Sequence, residues 1–226
     1  MGVDIRRSTL FDGLSDEAFS VIKQAFRSIN LAPGQVLFEA SEPGHALYLI
    51  RRGKVKISHA NLDGKEKLLA FLNPGDIFGE MSLVDESPRS ARAVAVEASA
   101  LFALYKQEYF LLIERFPLLA HNLARILAQR LREMNREAEV LTFEESRGKV
   151  AYALLKLYRH QYGEKTSQGR LMKLTQRELS ELAATSRETV TRVVAELIER
   201  GVLKGGVGSI EVLDVATLEK VLYDLE

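Results

Sequence analysis

The chain has 226 residues, 46% of them apolar, and 31 basic side chains against 31 acidic ones. That length supports a buried core and two modest domains, and the charge balance gives no global field toward nucleic acid or lipid. The lack of cysteine excludes disulfides, thiol catalysis, thiolate zinc sites and cysteine-ligated iron–sulfur clusters.

His45, His59, His121 and His160 are scattered without metal-ligand spacing, so no metal is expected. No apolar run approaches the roughly 20 residues of a membrane span. The first 15 residues carry no apolar signal core. The expectation is a cytoplasmic protein without membrane contact. No nucleophile–base pairing points to an enzyme.

Ser15-Asp16-Glu17 supplies an N-cap and first-turn acids, and Phe19, Ile22 and Phe26 recur at helical spacing. A helix over 15–28 follows. Then the pattern shortens. Runs at 36–38, 46–50, 55–57, 68–72 and 91–96 are separated by Gly34, Gly44, Gly53, Gly64, Gly75 and Gly79. Short strands divided by turn glycines predict an antiparallel roll or sandwich.

One loop differs from a plain turn. Between two strands lie Phe78-Gly79-Glu80-Met81, a short apolar turn, and then Arg89-Ser90-Ala91. A helix start offers free backbone N–H groups and an arginine offers a planar fork of donors, which together suit a phosphate. Glu80 cannot serve an anion but can accept from a sugar hydroxyl. A plain Glu80–Arg89 ion pair is the alternative.

From Leu118 to Thr142 there is neither Pro nor Gly. Ala120, Ala124, Leu127, Leu131, Met134, Ala138 and Leu141 alternate at spacings of four and three, a seam of three heptads on a helix about 37 Å long. Leu119, Leu123 and Ile126 form a second apolar stripe. A helix apolar on two sides must bury both. The β domain covers one, and the same helix of a second copy covers the other, giving a parallel two-fold homodimer; an ordinary helix wholly inside one subunit is the alternative.

The last third reads as a helix from Gly148 to about Tyr162, a polar stretch, and two helix starts. Thr175-Gln176-Arg177-Glu178 and Thr185-Ser186-Arg187-Glu188 both have the capping-box pattern. They open helices over 176–183 and 187–200, with a turn of about three residues between them, which is helix-turn-helix spacing. Two short strands around Gly205-Gly206-Val207-Gly208 make a wing. A final helix is expected near 217–223.

Residues 147–192 hold ten basic side chains against four acidic, whereas 144–226 balance at thirteen each. The positive charge therefore clusters at the helix-turn-helix, where DNA phosphates would sit. Arg187, Glu188, Thr189 and Arg192 project from the start of the second helix. Arginine suits guanine O6/N7 and glutamate suits cytosine N4 in a major groove. Thr175, Gln176 and Arg177 are placed for phosphate.

Two motifs carry a family resemblance. Gly79-Glu80 followed by Arg89-Ser90-Ala91 resembles the phosphate-binding cassette of cyclic-nucleotide-binding domains. Ser186-Arg187-Glu188-Thr189-Val190-x-Arg192 is very similar to the recognition-helix signature of the cAMP receptor protein/FNR superfamily. The order of roll, long helix and helix-turn-helix extends the likeness over nearly the whole chain.

The resemblance implies an α+β chain. A cyclic-nucleotide-binding β-roll spans 1–117, a long dimerisation helix 118–143, and a winged helix-turn-helix domain 144–226. It gives Glu80 the ribose 2′-hydroxyl, and Arg89 and Ser90 the cyclic phosphate, with the backbone at Gly79, Met81 and Ala91 assisting. Arg130 and Asn135 fall at nucleotide-facing turns of the long helix. The family has a Thr-Ser pair against adenine where this chain has Met134-Asn135.

The implied effector is cAMP, and the implied partners are double-stranded DNA with TGTGA-type half-sites, a second copy and RNA polymerase. The FNR branch needs cluster cysteines, and the haem-sensing branch needs a ligand that the cassette lacks. The alternatives are a regulator of the same fold that binds DNA without cyclic nucleotide or answers another effector, and a regulatory module for a partner enzyme.

Overall fold

The structure, a computed structural model, describes residues 5–60, 66–160, 162–206 and 208–223. Gly64 and Val207, which figured in the predicted turns, and Gln161, near the end of the helix expected from Gly148, lie outside the described residues. The chain forms two compact units that divide between Leu131 and Arg132.

In the first unit, two short 3-10 turns (Ile5–Arg7, Thr9–Phe11) lead to α1 (Asp16–Gln24). The Ser15 hydroxyl accepts from the Ala18 amide at 3.2 Å and caps it. Eight strands follow: β1 (Arg27–Leu31), β2 (Val36–Phe38), β3 (Ala46–Arg52), β4 (Val55–Ala60), β5 (Glu66–Leu72), β6 (Ile77–Phe78), β7 (Arg92–Ala95) and β8 (Ser99–Tyr105). One helical turn, α2 (Met81–Val84), separates β6 from β7. Then come α3 (Lys106–Arg115) and the long α4 (Pro117–Phe143).

The strands form two antiparallel four-stranded sheets, ordered β1-β8-β3-β6 and β2-β7-β4-β5. Leu31, Ile50, Phe78 and Leu101 of one sheet meet Phe38, Val55, Ala93 and Ala95 of the other in a single core. The opposite face of the first sheet carries Leu47, Leu49 and Leu104. It is covered by Phe11, Ile22, Tyr109, Leu112, Leu119 and Leu123 from the helical segments. This explains why β3 is apolar at consecutive positions from Ala46 to Ile50: both of its faces are buried. Each fully buried leucine in it contributes about 1.5–3 kcal/mol.

One expectation fails here. The helix expected over 15–28 ends at Gln24, and Arg27 and Ser28 belong to β1. Phe26 is inward in either reading because it packs edge-on against Phe11 and Phe102, so its spacing could not separate the two. The pairing of β1 with β8, from Arg27↔Ala103 to Leu31↔Ser99, decides for the strand.

Leu119 and Leu123 of α4 sit in the core, as their stripe predicts, and Ile126 packs beside them. The buried Asn122 amide donates to the carbonyls of Leu10 and Asp12 at 3.1 and 2.8 Å, tying the N-terminal turns to α4. The heptad stripe is open at its middle, where Leu131 is 58% and Met134 66% exposed, while Leu127 packs partly against the core of the first unit.

The second unit holds the end of α4, then α5 (Ser146–Arg159), β9 (Glu164–Lys165), β10 (Arg170–Met172), α6 (Gln176–Leu182), α7 (Arg187–Glu199), β11 (Leu203–Gly206), β12 (Ser209–Val212) and α8 (Val215–Leu222). The strands make one antiparallel sheet, β11-β12-β10-β9. Val150, Leu154, Leu179, Val190, Val193, Leu197 and Leu218 are fully buried. Glu137 of α4 pairs with Lys156 of α5, and Arg136 donates to the Tyr223 hydroxyl at 2.9 Å.

The turn between α6 and α7 is a Schellman motif. Thr185 N–H reaches the Ser180 carbonyl at 3.1 Å and Ala184 N–H the Glu181 carbonyl at 3.4 Å, with Ala184 at φ 46°. An alanine in this left-handed region is strained. Ala184→Gly should therefore stabilise the second unit by about 0.5–1 kcal/mol after the added chain entropy of glycine is subtracted. A lower urea midpoint for the variant would contradict this.

Candidate functional site

The cassette expected at 79–91 sits at the end of β6, where α2 and the following loop run back to β7. Gly79 takes φ 76°, and a Cβ there would lie 2.7 Å from Nη1 of Arg89. A Cβ on Gly44 would lie 2.3 Å from the Ser82 Cβ and 3.0 Å from the Arg89 Cζ. The two glycines leave the space that the arginine occupies.

Arg89 is buried, at 5% exposure. Nη1 donates to the Gly79 carbonyl at 2.6 Å and Nη2 to the Ala46 carbonyl at 2.9 Å. Burial is the largest influence on its pKa and lowers it, against the fields of Tyr48, Glu80 and Glu42. The loop is pinned across its neck: Arg89 N–H donates to the Glu42 carbonyl and Ser41 N–H to the Arg89 carbonyl, both at 2.8 Å.

Glu80 is buried at 2% exposure. Its Oε1 accepts from Arg130 Nη1 of α4 at 2.6 Å, and Arg130 Nη2 also donates to the Ile77 carbonyl. The glutamate is thus paired with Arg130 and not with Arg89, so the plain Glu80–Arg89 ion pair is not formed. Glu80 Oε2 and Arg89 Nε are buried without a hydrogen-bond partner. One is an acceptor and the other a donor, and buried groups of either kind are normally satisfied. These orphans fit a ligand bearing both hydroxyl and anionic oxygens.

The other cassette residues are placed less uniformly. Ser82, which sequence reasoning passed over, is buried, while Ser90 is exposed. Met81 is half exposed and Ala91 buried. Asn135 and Met134 are exposed on the part of α4 that belongs to the second unit. The first unit therefore brings Gly79, Glu80, Arg89 and Arg130 together. Phe38, Tyr48 and Gly44 also surround Arg89. No motif marked them, because strand alternation and a turn glycine explain all three equally well.

In the second unit, Arg187, Glu188 and Arg192 are exposed on α7 while Val190, Val193, Val194 and Leu197 are buried on its other side. The amphipathic period separates a reading face from a packing face. The Glu188 carboxyl is held below the ordinary range by its own backbone N–H, by the Ser186 hydroxyl and by Arg187. It remains an acceptor at neutral pH.

Thr175 forms the expected capping box with Glu178. The second expected box, Thr185 with Glu188, is replaced by a simple N-cap one residue on. Ser186, not Thr185, caps α7 and accepts from Thr189 N–H at 3.1 Å. The hydroxyls of Ser186 and Thr189 are 3.1 Å apart. Gln176 accepts from the Thr191 hydroxyl at 3.0 Å, bracing α6 against α7. Arg177 pairs with Glu181 at 2.9 Å but keeps 64% side-chain exposure, a weak pair that a phosphate can displace.

Residues 28–116 match the cyclic nucleotide-binding domain family, and residues 148–221 match the Crp-like helix-turn-helix domain family. Over 98% of its length the chain is 46% identical to the whole of the cyclic AMP receptor protein of Thermus thermophilus. The chain belongs to the CRP/FNR family of transcriptional regulators.

Other members of the CRP/FNR family agree. The CRP-like cAMP-activated global transcriptional regulator of Mycobacterium tuberculosis is 33% identical over 87% of this chain and 88% of its own. The crystal structure of Thermus thermophilus catabolite activator protein superposes with a TM-score of 0.58 over 97% of this chain and 100% of that one. A second CRP/FNR regulator of Thermus thermophilus, 28% identical, gives 0.73 over 87% and 98%. The β-roll is thus a cyclic nucleotide-binding domain and the second unit a DNA-binding helix-turn-helix domain. Among the described residues no helix is long and apolar enough to cross a membrane.

Proposed function

We propose that this CRP/FNR regulator is a cytoplasmic homodimer. It answers cAMP, binds TGTGA-type palindromes through α7, and acts on transcription through RNA polymerase. The observation that carries the reading is the pair of buried orphan atoms, Glu80 Oε2 and Arg89 Nε, facing the needs of a ribose hydroxyl and a cyclic phosphate. Of the relatives named above, one is a cyclic AMP receptor protein and another is a cAMP-activated regulator.

Glu80 would take the ribose hydroxyl, Arg89 and Ser90 the phosphate, and Arg130 would orient Glu80. Met81, Ala91 and Gly79 would line the phosphate with backbone. Asn135 can both donate and accept toward adenine, while Met134 offers no hydroxyl there. The open stripe through Leu131 and Met134 is the surface a second α4 would bury. Arg187, Glu188 and Arg192 would read bases, and Thr175, Gln176, Arg177, Ser186 and Thr189 would position the phosphate backbone. A dimer places its recognition helices about 34 Å apart, one turn of DNA.

The test is light scattering for mass and calorimetric titration with cAMP and cGMP. A dimer binding one cAMP per chain more tightly than cGMP is expected. A dimer that binds neither nucleotide would favour the regulator that works without this effector.

A further inference from the structure

Arg89 rests on a support that the ligand-facing residues do not supply. Its Cζ lies 4.3 Å from the centroid of the Phe38 ring and 5.5 Å from that of Tyr48. Tyr48 stacks on Phe78 at 5.3 Å, and Phe38 stands 5.9 Å from Tyr48 and 6.1 Å from Phe78. Phe38 and Phe78 belong to the core between the sheets, so the rings are held by packing and not by the arginine.

The guanidinium therefore has three constraints before any ligand arrives. The rings flank its cationic carbon, the Gly79 carbonyl holds one terminal nitrogen, and the Ala46 carbonyl holds the other. Only Nε, itself buried, is left without a partner. A flat group fixed in this way has the direction of every remaining N–H fixed as well, that of Nε included.

We propose that Phe38 and Tyr48 are positioning residues, an aromatic platform that holds the Arg89 guanidinium so that Nε–H is presented to one particular oxygen of the bound cyclic phosphate. The platform attracts the cation through the ring quadrupole, which gains strength where water is excluded. It supplies orientation in advance and so lowers the cost of binding. The site then distinguishes the two diastereotopic exocyclic oxygens of the cyclic phosphate. This inference rests on the cyclic-nucleotide reading of the same site.

The experiment uses the full chain. Heteronuclear NMR follows the Arg89 Nε–H resonance without ligand. Calorimetry then measures cAMP and its two phosphorothioate diastereomers, in which sulfur replaces one exocyclic oxygen or the other. In the wild type, Nε–H should be shifted by the ring faces and slow to exchange, and the diastereomers should differ in affinity.

Phe38→Leu should remove the ring shift, speed exchange, weaken cAMP roughly tenfold and bring the diastereomers toward equal affinity. Tyr48→Leu, at a less buried ring, should move all four readouts in the same direction and protects the test if Phe38→Leu does not fold. Variants that fold and keep the resonance, the affinity and the diastereomer ratio overturn the platform. A wild type with the shifted, protected Nε–H but no affinity for cAMP overturns the cyclic-nucleotide reading instead, and with it the assignment of Nε to a phosphate.

Discussion

Arg89→Ala should weaken cAMP binding by two orders of magnitude or more. Hydrogen bonds from a charged group are worth about 1.5–3 kcal/mol each. The guanidinium here is already desolvated and held by two carbonyls, so much of its ordering precedes the arrival of a cyclic phosphate. Losing one such bond together with the charge costs about 3 kcal/mol, which is more than a hundredfold. The fold should survive, because the Arg89 side chain contacts the surrounding chain through the carbonyls of Gly79 and Ala46 and through ring faces packed by other residues.

Arg89→Lys separates charge from shape. Lysine keeps the cation but not the fork, and it cannot satisfy two carbonyls and an anion together. Its affinity should fall between wild type and alanine. Calorimetry gives the ranking, and circular dichroism checks the fold. Alanine and wild-type proteins of equal cAMP affinity would remove Arg89 from the site.

Arg187→Ala should reduce specific DNA affinity by about 1–3 kcal/mol per half-site and relax the preference at one base pair of each. Arg187 is exposed in the first turn of α7, beside a carboxylate that stays ionised. An exposed arginine at that position has no packing role, so its loss should leave stability unchanged. Arg177→Ala provides the contrast. Its guanidinium is tied only to Glu181 in an exposed pair. It should weaken binding uniformly across sequences and lower the slope of log K against log salt by about one per protomer. Anisotropy on a set of duplexes, each changed at one base pair, distinguishes the two. An unchanged base preference in Arg187→Ala would take that residue out of the reading face.

The sequence exposed the second unit more fully than the first. Helical period, capping residues and glycine turns act within a few positions, so α6, α7 and the wing were legible in local patterns. One slip there, Thr185 for Ser186 as the cap of α7, arose because Thr185-Ser186 offers two hydroxyls in succession. Only the Ser186–Thr189 bond chooses between them.

In the first unit the decisive contacts are distant in sequence. β1 was hidden because Phe26 fits the period of α1. Pairing with β8, some seventy residues on, makes it a strand. Glu80 and Arg89 were both visible in the cassette, yet their neighbours were not. Arg130 reaches Glu80 from another element, and the Ala46 carbonyl and the Phe38 ring reach Arg89 from other strands. No periodicity encodes such a convergence. The resemblance to the family supplied Arg130; the glycine cradle and the aromatic support needed coordinates.

In the proposed switch, a nucleotide in the β-roll sets the DNA affinity of α7. A ligand can shift that equilibrium only by as much as it favours the binding-competent state. The measurement is fluorescence anisotropy at one fixed salt concentration, with a TGTGA-N6-TCACA duplex and a scrambled duplex, with and without cAMP. Specific binding to the palindrome is expected to tighten when cAMP is added. Specific binding of equal strength with and without cAMP would contradict it.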